Sequence, residues 1–207
     1  EAKYASLVQA EADKKAADAV IAKIDAIGTV TLKSKKAIDA ARKAYDKLTA
    51  AQQAKVSNYT ALTAAETAYA KLVTDKADQD AADAVIAKID AIGTVTLDSK
   101  SAIDEARAAY DKLTAAQQAR VSNYAALTAA ETTYAKLVTD KADQDAADAV
   151  IAKINAIGTV TLKSKKAIDE ARKAYDKLTA AQQARVSNYA ALTAAETTYA
   201  KLVQDKA

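Results

Sequence analysis

The side chains that could take part in chemistry are carboxylates, amines and phenols, because the sequence contains no histidine and no cysteine. Zinc sites and the nucleophile–base arrangements built on those two residues are therefore excluded. A catalytic pair of carboxylates would need a cleft that perturbs its pKa values, and small Ala-rich helical bundles offer no such cleft. We predict no catalytic, cofactor-binding or metal-binding residues, and an enzyme is the least favoured class of function.

Two aspartate positions recur along the chain, each with lysine or arginine nearby in sequence. We interpret them as exposed helix charges that pair with those cations. An EF-hand loop would need closely spaced Asp or Asn ligands around a glycine, and the sequence has none. The recurring positions are Asp39, Asp104 and Asp169, and Asp46, Asp111 and Asp176.

Two groups of three lysines could bind an acidic partner. The middle of the chain carries Asp98, Lys100 and Ser101 at the equivalent positions, so a site needed throughout would be lost there. A solvated helix start is the favoured interpretation. The groups are Lys33, Lys35 and Lys36, and Lys163, Lys165 and Lys166. The glycosylation acceptor pattern at residues 58–60 is interpreted as a coincidence, since Ala125 and Ala190 replace its threonine elsewhere.

Tyrosine supplies every aromatic ring, with ten residues in three sets. One set lies in the invariant string VSNY, where packing between two helices is favoured over an exposed adhesive role. The other two sets fall on apolar helix faces and are predicted to be core residues whose hydroxyls reach the rim. The sets are Tyr59, Tyr124 and Tyr189; Tyr45, Tyr110 and Tyr175; and Tyr4, Tyr69, Tyr134 and Tyr199.

Charge and hydropathy exclude further partners. The net charge is 30 − 27 = +3, spread along the chain, which gives no case for nucleic-acid or membrane binding. No apolar run approaches the ~20 residues that span a bilayer. No small-molecule substrate and no cofactor are predicted. With 51% hydrophobic residues, the chain is also too apolar for a disordered polyelectrolyte.

A repeat of 65 residues organises the chain. Gly28, Gly93 and Gly158 lie in identical AIGTVTL strings, and no Ile, Leu, Val or Tyr changes between copies. Such a pattern indicates a constant core behind a tolerant surface. We predict a helix fragment at 1–11 and repeats at 12–76, 77–141 and 142–207. Both ends fall within the pattern, so we expect a longer array that contains this chain.

Each repeat predicts a three-helix bundle with a short extra helix before the third member. In the middle copy, Ala82, Val85, Ile89 and Ile92 form one helix face, and Gly93 follows as a left-handed stop. Thr94–Leu97 is predicted to be an extended connector with Val95 and Leu97 facing inward. Ile103, Ala106, Tyr110 and Leu113 form the face of the second helix.

Three helix starts are predicted from capping residues in this copy. Ser99 is a candidate N-cap of the second helix. Thr114 with Gln117, and Thr128 with Glu131, have the spacing of capping boxes. The first box opens the short helix, which is expected to extend through Val121, and the second opens the third helix.

The third helix is predicted to run on into the next repeat. From Ala129 to Ile157 there is no Gly, Pro or Ser. The polar stretch 139–145 could be a linker, but it contains no turn chemistry. Ala130, Tyr134, Leu137 and Val138 face one side, and the apolar set from Ala147 to Ile157 faces the opposite side. The predicted fold class is therefore all-α, with three tandem three-helix bundles joined by shared continuous helices into an elongated rod of roughly 70–90 Å.

The strings DAVIAKIDAIGTVTL and AIDEARAAYDKLTAAQQARVSNYAALTAAE resemble tandem helical repeats in the stalks of Gram-positive cell-wall-anchored surface proteins. The resemblance implies an extracellular, cell-surface spacer that holds a distal adhesive domain away from the wall. Its partners would be the neighbouring repeats of the same chain. The alternative is a tandem array that binds a host protein such as an immunoglobulin or albumin, with avidity from repeated copies.

Overall fold

The structure is a computed structural model that describes residues 1–206, and within that range it is all-helical without strands, as predicted. The elements in chain order are α1 (Ala2–Asp25), α2 (Lys35–Tyr45), α3 (Ala50–Gln53), α4 (Tyr59–Asp90), a 3₁₀ turn (Leu97–Ser99), α5 (Lys100–Asp111), α6 (Ala115–Gln118), α7 (Tyr124–Asn155), α8 (Lys165–Tyr175), α9 (Ala180–Gln183) and α10 (Tyr189–Gln204).

The chain divides into two compact units. The first comprises Glu1–Ile86 and Tyr110–Ser122, and the second comprises Ala87–Ala109 and the chain from Asn123 onwards. The middle sequence copy contributes to both units. The predicted repeat boundaries at 76/77 and 141/142 fall inside α4 and α7 and stay a prediction.

The first unit has one apolar cluster built from the faces of α1, α2 and the start of α4. The apolar side chains of each helix are spaced three and four residues apart, which places them on one side of the helix and allows them to be buried together. Leu62 is fully buried at its centre, and the side chains of Tyr45, Leu48 and Tyr59 pack against its rim. The buried members are Ala17, Val20, Ile24, Ile27, Ile38, Ala41, Val56, Leu62 and Ala65.

The second unit contains an equivalent cluster formed by α7, α8 and α10. Leu192 is its fully buried large side chain. All buried side chains within residues 1–206 are apolar, which matches the absence of Ile, Leu and Val changes between copies. The members are Ala147, Val150, Ile154, Ile157, Ile168, Ala171, Val186, Leu192 and Ala195.

The predicted continuity of the long helix is confirmed. Both α4 and α7 are unbroken over 32 residues, a length of about 48 Å. In α7, Leu127 and Ala130 are buried near one end, and Ala147, Val150 and Ile154 are buried near the other. At 100° per residue these two sets point in roughly opposite directions. Val138 was predicted to face inward but is 43% exposed.

The polar stretch inside the long helix is held by pairs four residues apart. Lys71 donates to Asp75 over 2.5 Å, Lys76 donates to Asp80, and Gln79 donates to Asp83 over 2.8 Å. Each exposed pair of this kind contributes only about 0.2–0.5 kcal/mol, but the pairs require helical geometry. These pairs therefore favour the helix within the polar stretch.

The predicted start of the third helix at Thr128 is wrong. The helix α7 begins at Tyr124, and the Thr128 hydroxyl donates to the Ala125 carbonyl over 2.9 Å. A Thr inside a helix commonly bonds back to the preceding turn, so its presence four residues into α7 needs no cap. By contrast, the capping box of Thr114 and Gln117 is confirmed at the start of α6, which ends at Gln118 and continues as turns to Val121.

The predicted role of Ser99 and the burial of Leu97 also differ from the structure. The Ser99 hydroxyl accepts from the Thr96 backbone amide over 2.9 Å, so Thr96 and Ser99 close the 3₁₀ turn ahead of α5. That turn rotates Leu97 outward to 43% exposure, whereas Val95 is half-buried. The left-handed stop is confirmed, because Gly93 has φ +56° three residues after Asp90, the last residue of α4.

Candidate functional site

In each copy an arginine of the second helix forms hydrogen bonds with a glutamate and a tyrosine of the third helix. We call these three side chains the Arg–Glu–Tyr group. In the second unit, Arg172 of α8 donates from Nε and Nη2 to the two carboxylate oxygens of Glu196 on α10, both over 2.7 Å. Its Nη1 donates to the Tyr189 hydroxyl over 3.2 Å. Such a two-point pair is directional, so it sets the register of α8 against α10.

Stacked tyrosines support this arginine. The rings of Tyr175 and Tyr189 lie 4.3 Å apart, and the Arg172 guanidinium carbon lies 5.3 Å from the Tyr189 ring centre. The same arrangement occurs in the first unit, where the Tyr45 and Tyr59 rings are also 4.3 Å apart. Cation–π contact and stacking add to the apolar burial of these rings.

The middle copy has the same hydrogen bonds between arginine, glutamate and tyrosine, and its three residues lie in the second unit. Arg107 donates to both carboxylate oxygens of Glu131 over 2.7 Å and to the Tyr124 hydroxyl over 3.2 Å. Glu131 was predicted to reach back to a helix start, and it bonds to the neighbouring helix instead. The arginine, glutamate and tyrosine are invariant among copies, and that invariance was the only signal in the sequence for this group.

Electrostatics at the group favour its charged form. Hydrogen bonds from Arg42 hold the pKa of Glu66 below its ordinary value of 4.5, and hydrogen bonding to Glu66 and then to Tyr59 raises the pKa of Arg42. Hydrogen bonds from Arg107 likewise lower the pKa of Glu131. The arginine and glutamate therefore stay ionised near neutral pH.

We predict that this group makes part of the stability acid-sensitive. Since the folded pKa of Glu66 is lowered, its contribution is present above pH 4.5 and is lost as the pH falls through the folded value. The Glu66→Gln variant should lose about 1 kcal/mol at pH 7 and almost nothing at pH 2. Urea unfolding at the two pH values measures this difference, with the exposed Glu170→Gln as the control. Equal losses at both pH values would contradict the prediction.

Most of the tyrosine side chains are half-buried, so they are more exposed to solvent than predicted. Tyr59 and Tyr189 pack against the apolar clusters, in agreement with the packing interpretation, whereas Tyr124 is 36% exposed. Tyr4 is 75% exposed, so its assignment to the core is wrong. The remaining tyrosines predicted as core are half-buried; they are Tyr45, Tyr69, Tyr110, Tyr134, Tyr175 and Tyr199.

The recurring aspartates and the lysine groups pair along their own helices. Lys35 donates to Asp39 over 2.7 Å and Lys165 to Asp169 over 2.6 Å, with all four side chains more than half exposed. The Asp104 carboxylate accepts from Lys100 in the same way. Lys35 and Lys165 are the first residues of α2 and α8, so these pairs lie at solvated helix starts.

Asn58 of the glycosylation pattern connects two helices. Its amide nitrogen donates to the Ile21 carbonyl over 3.1 Å and to Asp25 over 2.8 Å. The equivalent Asn188 donates to the Ile151 carbonyl over 3.1 Å and to Asn155 over 2.8 Å. A sugar on the Asn58 nitrogen would disrupt both contacts, so the geometry opposes its use as an acceptor.

The concave surfaces are shallow grooves. One groove along α4 is lined by Thr and Ala side chains and Lys71. A second depression in the second unit is lined by Leu162, Tyr199, Val203 and Lys206. No group of three acidic, His or Cys side chains in residues 1–206 could hold a metal ion. None of the helices in that range is long and apolar enough to cross a membrane.

Comparison with protein-family models, with curated proteins and with solved structures gave no match.

Proposed function

We propose that the chain is a non-enzymatic spacer: an array of helical repeats that holds other parts of a protein at a distance. The observation that carries the proposal is the pair of unbroken 32-residue helices, α4 and α7, each running through a predicted repeat boundary. A helical connection resists bending, whereas a flexible linker would leave the distance between its ends undefined.

The distribution of changes between copies supports the same function. The Ile, Leu and Val residues and the Arg–Glu–Tyr group are identical in the three copies, while exposed positions such as Lys33, Asp98 and Lys163 change charge. A spacer needs the fold of every repeat and makes few demands on its outer surface. Location at the surface of a Gram-positive cell is part of the proposal and depends on the sequence resemblance described above.

The proposed arrangement is three bundles in line. In that arrangement each bundle would advance the chain by about the length of one helix, ~22 Å, and the whole would measure roughly 70–90 Å. Small-angle X-ray scattering on the complete chain tests this. A rod should give a radius of gyration of roughly 25 Å, whereas a compact protein of this length should give ~17 Å. A value near the compact figure would exclude the spacer geometry.

A second candidate is a tandem array that binds a host protein. Exposed Leu and Val side chains at equivalent positions of all three copies favour it, and in the third copy Leu162 and Val203 line one depression with Tyr199. The exposed fractions are 45% for Leu32, 43% for Leu97 and 41% for Leu162, and 43% for each of Val73, Val138 and Val203.

Binding measurements separate the two candidates. Biolayer interferometry would measure binding of the complete chain to immobilised serum immunoglobulin and to immobilised albumin. The same measurement would be made on the triple variant Leu32→Lys, Leu97→Lys and Leu162→Lys. A binding array should show affinity that the triple variant loses, because lysine places a charge in each apolar patch. A spacer should show no binding with either protein.

A further inference from the structure

The polar stretches of the long helices are contacted by the short helices. In the first unit, Gln117 of α6 donates to Asp78 of α4 over 3.0 Å. In the second unit, Gln182 of α9 donates to Asp143 of α7 over 2.9 Å. Each short helix therefore lies against the polar stretch and bonds to it through a glutamine.

A second contact lies one helical turn earlier. Arg120 donates from Nη2 to Asp75 over 2.9 Å, and Arg185 donates to Asp140 over 2.6 Å. These side chains are only 32–37% exposed, so the pairs are better shielded than the lysine pairs along the helices. Hydrogen bonds from Lys71 and from Arg120 also lower the pKa of Asp75. The carboxylate therefore stays charged near neutral pH.

The equivalent ion pair is missing at the first short helix, α3. Lys55 stands at the position of Arg120 and Arg185, and Ala10 in α1 stands at the position of Asp75 and Asp140. Its glutamine contact is retained, because Gln52 donates to Asp13 over 3.0 Å. At each of the three short helices the arginine and the aspartate are therefore either both present or both missing, which is the pattern expected of two residues that work as a pair.

The pair lies where the long helix has least support. No side chain between Ala65 and Ala82 in α4 is buried, and none between Ala130 and Ala147 in α7. Helical stability in proteins comes mainly from packing of an apolar face. Residues 74–80 and 139–145 have no such face, so contacts from the short helix are the tertiary interactions available to them.

We infer that two ion pairs, Arg120 with Asp75 and Arg185 with Asp140, hold the polar stretch of each long helix against the neighbouring short helix and oppose its local unfolding. We call each of these ion pairs a clamp. The inference goes beyond the spacer proposal, because it concerns local opening of the helix and holds for any function of the chain. It also assigns a difference along the chain: the clamp is present at α6 and α9, whereas α3 keeps the glutamine contact alone.

Amide hydrogen exchange on the complete chain tests the clamp. Arg120→Gln should speed exchange of residues 74–80 by about three- to five-fold, in keeping with a partly shielded ion pair, and leave residues 139–145 unchanged. Lys55→Gln is the matched control, since Ala10 offers no carboxylate, and it should leave exchange of residues 9–15 unchanged. Circular dichroism would verify that each variant is folded.

A gain-of-function variant completes the test. Lys55→Arg combined with Ala10→Asp should slow exchange of residues 9–15 by about the same factor, while either change alone should not. High salt should reduce the difference between wild type and Arg120→Gln, because it weakens ion pairs at this exposure. The inference is overturned if Arg120→Gln leaves residues 74–80 unchanged, or if Lys55→Gln has an equal effect on its own stretch.

Discussion

Replacing Ala142 with proline is expected to interrupt α7 and to destabilise it by about 3 kcal/mol or more. Ala142 is exposed and lies midway between the two buried sets of that helix, so the change removes no core contact. Proline lacks the backbone N–H that would bond to the carbonyl four residues earlier, and its ring collides with that carbonyl. The cost therefore falls on helix continuity alone.

The expected readout is a change in cooperativity as well as in stability. Thermal unfolding followed by circular dichroism should separate into more transitions than the wild type shows, since the two ends of α7 would no longer order each other. Ala142→Gly is the first control and should cost only about 1 kcal/mol, because glycine keeps the N–H. Ala2→Pro, at the first residue of α1, should cost little. An unaltered transition for Ala142→Pro would mean that the two ends unfold independently.

Replacing Leu192 with alanine should destabilise the second unit by about 3 kcal/mol. Leu192 is fully buried within the cluster of α7, α8 and α10, so the change loses apolar transfer energy and leaves a cavity. Small repeats have little stability to spare, and a loss of this size should unfold a large fraction of the unit near its normal melting range.

The sequence provides a matched control for this variant. Leu162→Ala removes the same atoms from a side chain that is 41% exposed, so its cost should stay below about 1 kcal/mol. Urea unfolding of the two variants gives both values under the same conditions. Equal losses would show that the burial of Leu192 in this cluster does not describe the protein in solution.

The helices could be predicted because their signals are local. The absence of Gly and Pro from Ala129 to Ile157 leaves no place for the long helix to end, and the structure confirms its continuity. The error at Thr128 came from a motif with two meanings. Thr followed three residues later by Glu fits a capping box, yet it also fits a threonine inside a helix whose glutamate bonds elsewhere.

The contacts within the Arg–Glu–Tyr groups and the Arg120–Asp75 ion pair could not be predicted, because the paired residues are far apart in sequence. The glutamate of each Arg–Glu–Tyr group lies 24 residues from its arginine, and Arg120 lies 45 residues from Asp75. Identity between copies marked the residues of the Arg–Glu–Tyr group as constrained, but it did not show which residues pair. Every copy offers several carboxylates to each arginine, and only the packed helices bring one of them within reach.

The sequence by itself determined the helical class, the period of 65 residues, the left-handed glycines and the unbroken α4 and α7, since each depends on neighbours within a few residues. Tertiary structure alone decided that Glu131 bonds to Arg107 and that Arg120 pairs with Asp75. These outcomes depend on how helix faces meet, because packing sets the distances between side chains that are remote in the chain.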